Sequence, residues 1–373
     1  MNFSGEEFQM STRNTIRIFR IVCLAVLSSL SVPASAIWAQ TSPVADDSKK
    51  VADQSHNIAA QDAEEADEED WSTLLLPKGV LRPSDPLQVE LDDDNPAFTR
   101  EYLSVHWRIG DPIHLFVIKP KGVKKPPLIL HLFSYPSETD RFFDDDVCKF
   151  LTKDGFAAVG FVSALTGHRY HDRPMREWFI SELQEALGTS VHDVQIILSY
   201  LSTRDDLDMD RVGMFGDGSG ATIAILTSAV DLRLKALDLI DPWGDWPNWL
   251  AKSTLVPENE RADYLKPEFL KKVAPLDPVQ WLPNLKAKNV RLQEVMDVKV
   301  TPSSARERID AAAPPTIHLV RYDDRKSFLK EAVADGKALD WLKQQVKSGD
   351  AQKYSVNSES TNPGNLGGTK SDR

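Results

Sequence analysis

Short apolar runs that alternate with helical patterns constrain the fold of this chain more than any other feature. Residues 128–133 (LILHLF) and 156–162 (FAAVGFV) are almost continuously apolar, as expected of parallel strands that are covered on both faces. Residues 175–203 place apolar side chains three or four positions apart, which predicts an amphipathic helical stretch with Gly188 as a candidate interruption. This alternation predicts an α/β fold built on a mostly parallel sheet.

The remaining segments complete the same pattern. Further strands are predicted at 102–108, 113–118, 212–215, 236–240, 290–296 and 316–322, and further helices at 144–153, 221–230, 303–312 and 326–346. The first two of these strands are separated by a Gly-Asp-Pro turn and predict a hairpin. We therefore expect one large domain over 75–346, with a short cap at about 241–289 between the sixth and seventh strands.

The amino terminus has the features of an export signal. Three arginines precede an apolar run at 21–30, which is too short to cross a bilayer comfortably, and small residues follow it. Ala36 and Ala39 are alternative cleavage positions, and Met10 is a candidate start because two glutamates precede it. We expect residues 1–39 to be removed and the protein to be periplasmic or secreted.

Two polar segments flank the predicted domain. Residues 40–74 are acidic and almost free of large apolar side chains, which predicts a disordered linker. Residues 347–373 are rich in Gly, Ser and Asn and predict a disordered tail.

Composition excludes several classes of function. The chain has 44 Lys and Arg against 56 Asp and Glu, a formal net charge of −12, and no clustered basic run, which argues against a nucleic-acid-binding protein. Two cysteines exclude a disulfide framework, and the eight histidines lack the HExxH spacing of a zinc hydrolase. We expect no metal, no cofactor and no membrane span after signal removal, and a small molecule or peptide as the ligand.

A strand, a glycine-rich turn and a helix follow one another at 211–230. Residues 211–221 (RVGMFGDGSGA), with the flanking segments 208–210 (DMD) and 231–236 (DLRLKA), resemble the strand, elbow and helix of the α/β-hydrolase family, in its peptidase and esterase branches. The resemblance covers essentially the whole core. It implies the α/β-hydrolase fold, with helices on both faces of the sheet.

The same resemblance implies a nucleophile at the apex of the turn, exposed above the sheet between two small residues. Here Gly216 and Gly220 flank Gly218, which has no side chain that could attack a substrate. Ser219 is the nucleophile only if the register shifts by one, and Asp217 also lies one position from the apex. We interpret Ser219 as the N-cap of the helix.

The resemblance also implies an acid after the next-to-last strand and a histidine after the last one. Asp297 is the carboxylate closest to the first position, and Asp241 is the alternative. The loop at 323–326 contains no histidine, and His318 lies within the preceding strand. Because a serine hydroxyl is a poor nucleophile without a base, two of the three catalytic positions are predicted to be empty.

Other candidate residues lie at the carboxyl ends of predicted strands, where α/β sheets bind ligands. Trp243 and Trp246 form an aromatic wall over the site or anchor the cap that follows. His168 and His171 are the histidines best placed for a rearranged site.

The loop after 128–133 is where the resemblance implies an oxyanion loop. The family often has glycine there, and this chain has Ser134 and Tyr135. We predict that these two residues contact the substrate.

Three functional hypotheses follow. Gly218 and the missing late histidine predict an exported α/β-hydrolase-like protein without Ser–His catalysis that binds a ligand or partner. An active esterase or peptidase requires a rearranged site that combines Ser219, one of His168 and His171, and one of Asp217, Asp241 and Asp297. A metal-dependent hydrolase built from Asp and His at the sheet edge is the third hypothesis.

Overall fold

A computed structural model describes residues 69–77, 87–108, 111–135, 140–166, 179–333 and 338–348. The predicted export signal, most of the acidic segment 40–74 and nearly all of the tail lie outside these residues. His168 and His171 also lie outside them. Their proposed roles therefore stay predictions.

Within the described residues, nine strands form one sheet in the order β1-β2-β3-β5-β4-β6-β7-β8-β9. The strands are β1 Leu87–Asp94, β2 Phe98–Arg108, β3 Asp111–Pro120, β4 Pro127–Leu132, β5 Ala157–Phe161, β6 Asp208–Asp217, β7 Leu234–Ile240, β8 Asn289–Val295 and β9 His318–Tyr322. The pairs β1–β2, β2–β3 and β3–β5 are antiparallel, and all other neighbours are parallel. The predicted mostly parallel sheet is confirmed.

Helices cover both faces of this sheet. They are α1 Asp145–Thr152, α2 Leu183–Leu201, α3 Ser219–Val230, α4 Trp246–Lys252, α5 Arg261–Tyr264, α6 Pro267–Val273, α7 Pro278–Trp281, α8 Ser303–Ala312, α9 Arg325–Phe328 and α10 Asp340–Ser348. Among the described helices, none is both long enough and apolar enough to cross a membrane.

Alternate residues of β6 face two separate hydrophobic clusters. Val212 and Met214 pack in one cluster with α2 and α3. Phe215 packs in the other cluster with α1 and α10. Because both faces are covered, β4 and β5 are buried at every position, which explains their almost continuously apolar sequences.

The structure differs from the prediction at three elements. β1 was not predicted, because its sequence LQVELDDD ends in aspartates, which are depleted in strands. Because of this extra strand, the strands on either side of the predicted cap are the seventh and eighth. The cap segment, 241–288 with α4 to α7, thus lies between β7 and β8. The single closing helix predicted at 326–346 is wrong: α9 continues into a π-helical turn at Leu329–Val333, and α10 begins at Asp340.

The third difference is that α2 runs through Gly188 without interruption. A Cβ atom added at Gly188 would lie 2.6 Å from the carbonyl oxygen of Trp71. The glycine therefore provides the space in which residues 69–77 pack on α2. Leu74 and Leu76 of this segment are buried, so the packed chain begins before the predicted boundary at 75.

Polar contacts bind the same segment to α2. Arg108 donates two hydrogen bonds to the carboxylate of Glu69 at 2.5 and 2.6 Å, and one to the buried Asp193 of α2 at 2.6 Å. His192 lies 2.5 Å from Glu69 Oε1 and 2.8 Å from the carbonyl oxygen of Thr73. Residues 69–77 are thus attached by both apolar and ionic contacts.

Candidate active site at the glycine elbow

Gly218 forms the apex of the turn between β6 and α3. Its backbone has φ 52° and ψ −114°, a conformation that side-chain-bearing residues rarely adopt. Its N–H group donates to the carbonyl oxygen of Ile240 at 2.9 Å, which ties the turn to β7. Gly216 approaches the backbone of Ala221 so closely that an added Cβ would lie 2.6 Å from that residue's Cα. The turn closes because these positions carry no side chains.

The space above the apex is filled by two other side chains. A Cβ atom added at Gly218 would collide with Ser134 Oγ, and it would lie 3.0 Å from Ser134 Cβ and 3.1 Å from Trp243 Nε1. These two residues stand where the side chain of a nucleophile would begin. The predicted oxyanion-loop residue Ser134 therefore occupies the elbow itself.

Ser219 has a structural role in this geometry. It is the first residue of α3 and fully buried, and its hydroxyl accepts a hydrogen bond from the backbone N–H of Tyr135 at 2.9 Å. Its interpretation as the N-cap is wrong, because Gly218 holds that position. Ser219 instead holds the loop after β4 against the start of α3.

Two carboxyl groups lie beside the apex. Asp241 has a left-handed backbone, with φ 42°, and its carboxylate accepts a hydrogen bond from the N–H of Val295 at 3.1 Å. Burial raises the pKa of Asp241 to about 7, although Arg306 at 3.4 Å opposes this shift. Burial also raises the pKa of Asp217, against the charges of Arg141 and Arg325.

Asp297 is hydrogen-bonded to the loop at 323–326, where the resemblance implies a histidine. Its Oδ1 accepts a hydrogen bond from the backbone N–H of Arg325 at 3.0 Å. The guanidinium nitrogens of Arg325 are shielded from solvent. Asp297 was predicted as a site residue from the sequence, and Arg325 was not. The position of Arg325 in the loop at 323–326 could have indicated it.

A cavity of about 30 Å³ opens at this elbow. Its polar lining comes from Ser134, Asp217, Gly218, Asp241, Trp243, Thr301 and Arg325. The elbow cavity thus brings together five residues named from the sequence, and it adds Thr301 and Arg325. No three His, Cys, Asp or Glu side chains of the described residues are arranged to hold a metal ion.

The two predicted tryptophans have different surroundings. Trp243 stacks on Trp249 at a centroid distance of 5.1 Å and also lines the elbow cavity. Trp246 is fully buried, and its Nε1 donates to the carbonyl oxygen of Leu276 at 3.1 Å. Its backbone N–H donates to Asp277 at 3.1 Å. Trp246 therefore anchors the segment after β7 and does not line the elbow cavity.

Comparisons with known proteins identify the fold. No protein-family model and no curated protein matches the sequence. Acetyl xylan esterase 1 from Thermoanaerobacterium sp. JW/SL YS485 superposes with a TM-score of 0.53 at 17% identity, covering 72% of this chain and 91% of that one. A cold-adapted esterase from an Arctic intertidal metagenomic library gives 0.51 at 14% identity, with 69% and 99% covered.

A longer protein shares the same architecture. Acylaminoacyl peptidase from Pyrococcus horikoshii superposes with a TM-score of 0.50 at 13% identity, covering 68% of this chain and 41% of that one. At these identities the comparisons establish the architecture alone. The sheet order, the turn at Gly218 and these superpositions together show that this protein has the α/β-hydrolase fold.

Proposed function

We propose that this protein binds a small carboxylate at the glycine elbow and does not catalyse ester or peptide hydrolysis there. The observation that supports this proposal is the apex of the turn. Gly218 offers no attacking atom, and Ser134 and Trp243 fill the space that such an atom would need. Catalysis by covalent attack requires a nucleophile with a base within hydrogen-bonding distance.

The donor groups of the elbow cavity support the choice of ligand. Arg325, Ser134 and Trp243 line the cavity, and their side chains carry a guanidinium group, a hydroxyl and an indole N–H. A guanidinium group matches the planar geometry of a carboxylate and forms charge-assisted hydrogen bonds with it. A free organic acid and the carboxyl terminus of a peptide both present this group.

Two neighbouring carboxyl groups make the proposed binding depend on pH. Burial raises the pKa of Asp241 to about 7 and also raises that of Asp217. Below neutral pH, Asp241 carries a proton and does not repel an anion. We expect a carboxylate to bind more tightly at pH 6 than at pH 8.

Binding is tested by NMR spectroscopy of the full-length protein during titration with acetate. Acetamide is the uncharged control probe. We expect saturable shifts with acetate that weaken at least tenfold in Arg325→Gln. Lys326→Gln is the matched control, because Lys326 is the exposed neighbouring residue and does not line the cavity. Equal acetate affinity in the wild type and in Arg325→Gln would contradict the proposed site.

The absence of catalysis is tested with a fluorophosphonate probe and with short-chain p-nitrophenyl esters. We expect no labelling and no ester hydrolysis above the buffer rate, with an acetyl xylan esterase assayed in parallel as the positive control. Labelling that disappears in Ser219→Ala would instead support an active hydrolase with a rearranged site, in which His168 or His171 supplies the base.

We also propose that the protein is exported. The proposal rests on the arginines, the apolar run and the small residues of 1–39. Amino-terminal sequencing of the protein from cell envelope and medium fractions tests it. Cleavage after Ala36 or Ala39 is expected, and an intact amino terminus in the cytoplasm would contradict it.

A further inference from the structure

A second cavity lies on the other face of the sheet from α2 and α3. It has a volume of about 60 Å³ and is enclosed by the sheet, α1 and the segment around α9 and α10. Its apolar lining includes Phe133, Phe150, Leu151, Phe215, Phe328 and Leu339. We call it the His131 cavity, because His131 of β4 also lines it.

His131 carries an unused hydrogen-bonding atom. The side chain is almost fully buried, with 2% of its surface exposed, and its Nδ1 has no hydrogen-bond partner among the residues that the structure describes. The rings of Phe133 and Phe215 flank the imidazole at centroid distances of 6.0 and 5.9 Å. Buried polar atoms in folded proteins almost always have a partner, so an unpaired nitrogen beside a cavity indicates that a bound molecule completes it.

Another polar residue of the lining already has its partners. The Gln293 side chain accepts a hydrogen bond from the Tyr322 hydroxyl at 2.9 Å and donates one to Asp238 at 2.8 Å. Among the described residues that line the cavity, His131 therefore offers a hydrogen-bonding atom that the structure does not use.

Charge restricts the type of ligand. The Arg141 guanidinium, 3.9 Å from the centre of the Phe133 ring, and the carboxyl group of Asp217 both line the cavity. A cationic ligand would be repelled by Arg141 and an anionic ligand by Asp217. The apolar walls of the cavity would solvate neither ion. Burial lowers the pKa of His131 to about 3, so the imidazole is neutral and suits an uncharged partner.

Volume restricts the size of the ligand. An engineered protein cavity that takes up benzene measures about 150 Å³, and the His131 cavity is less than half as large. A chain of one or two carbons suits such a space, whereas an aromatic ring is too large for it.

From these observations we infer that the His131 cavity binds an uncharged aliphatic alcohol. The hydroxyl group pairs with Nδ1 of His131, and the alkyl chain lies against Phe150, Leu151 and Phe328. This site shares Asp217 and Ile240 with the lining of the elbow cavity but does not contain Arg325. Its test follows His131 and Val147, which do not line the elbow cavity, so it can fail or succeed independently of the proposed carboxylate binding.

The experiment records the imidazole nitrogen resonances of the full-length protein during titration with ethanol. We expect a saturable shift at His131 with ethanol, and at least tenfold weaker responses to acetate and ethylamine. No saturable response at His131, as would follow if only water occupies the cavity, overturns the inference. Equal responses to the three compounds overturn it as well.

Two variants locate the site. Val147→Phe places a larger side chain in the cavity wall and is expected to weaken ethanol binding at least tenfold. Val123→Phe, at a position with 40% exposure, is the matched control and should bind as the wild type does. If Val147→Phe does not fold, His131→Phe serves in its place, with ethanol binding followed by the ligand's own resonances. Unchanged binding in the cavity variant would refute the location.

Discussion

Two independent effects act on any side chain placed at Gly218. The positive φ angle disfavours every residue with a Cβ atom, and an added Cβ would require Ser134 and Trp243 to shift. Gly122 offers a comparison within the same chain. It also has a positive φ, 80°, but an added Cβ would have no neighbour within 4 Å.

We expect Gly122→Ala to lower the free energy of unfolding by about 1 kcal/mol, because only backbone strain opposes it. Gly218→Ala adds the collision with Ser134, so we expect a loss of about 3 kcal/mol or more. Urea denaturation of both variants measures the difference. Adding Ser134→Gly to Gly218→Ala should recover part of the loss. Equal losses in the two single variants would show that the elbow is not crowded.

Asp241 is a second residue whose effect can be measured. The folded protein holds this proton up to about pH 7, whereas the unfolded chain releases it near the ordinary aspartate pKa of 3.8. The free energy of unfolding therefore falls as pH rises through this interval, by about 4 kcal/mol at most. Glu294, with a pKa raised to about 7 by burial, acts in the same direction.

Asp241→Asn removes the ionisable group while keeping an acceptor for Val295, and asparagine tolerates the left-handed backbone well. We expect the variant to be more stable than the wild type at pH 8 and to lose this advantage by pH 5. Thermal unfolding at both pH values measures it. An advantage that does not depend on pH would contradict the raised pKa.

The site was only partly predictable at the scale of residues. Gly218 and Asp241 directly follow strands and Asp217 is the last residue of one, and strand ends can be located from apolar runs. Trp246 was wrongly predicted to line the site. Which side of the segment after β7 is buried depends on tertiary packing, and the local sequence does not encode that packing. Arg325 was missed because arginine is not the residue type that the resemblance implies there.

Among the elements, α2 depends on the segment that packs on it. In an isolated helix, Gly188→Ala would be stabilising by about 1 kcal/mol. Here the added Cβ would lie 2.6 Å from a backbone oxygen of Trp71, which cannot rotate away. We expect the collision to dominate and to release residues 69–77 while α2 stays folded.

Limited proteolysis of Gly188→Ala, compared with the wild type, measures this release. We expect cleavage within 69–77 to become faster, with little change in the helical circular dichroism signal. An unchanged cleavage rate together with higher stability would show that helix propensity dominates.

The ionic contacts that attach residues 69–77 to α2 can be tested by substituting Arg108. Arg108→Leu leaves the fully buried carboxylate of Asp193 without its cation. We expect a loss of about 3–5 kcal/mol, typical of removing one partner from a buried ion pair. The control is Lys266→Ala, which breaks an exposed pair with Asp263 and should have little effect on stability. Urea denaturation measures both, and similar losses would contradict the role of Arg108.

The sheet was more predictable than its attachments. β4 and β5 are covered on both faces, and their apolar runs gave boundaries within one residue of the observed ones. The docking of 69–77 depends on α2, which is more than one hundred residues away in the chain, and such a contact has no local sequence signal. β1 pairs with the next strand, β2, and was missed because its terminal aspartates do not favour a strand.

For the whole molecule, Cys148 reports on global unfolding. Its side chain is fully buried, its thiol donates to the carbonyl oxygen of Phe142 at 3.3 Å, and burial raises its pKa to about 11. Both effects suppress the reactive thiolate. In Cys23→Ser, we expect no reaction with a thiol reagent at pH 8 in buffer and a complete reaction in urea. Rapid labelling of the native protein would contradict the described packing.

The crowding at the elbow also bears on what a nucleophile at position 218 would require. A hydroxyl there would need Ser134 and Trp243 to withdraw, and it would still need a base within hydrogen-bonding distance to accept its proton. A designer who wants a nucleophile at the apex would therefore have to change several neighbouring positions at once, not position 218 alone.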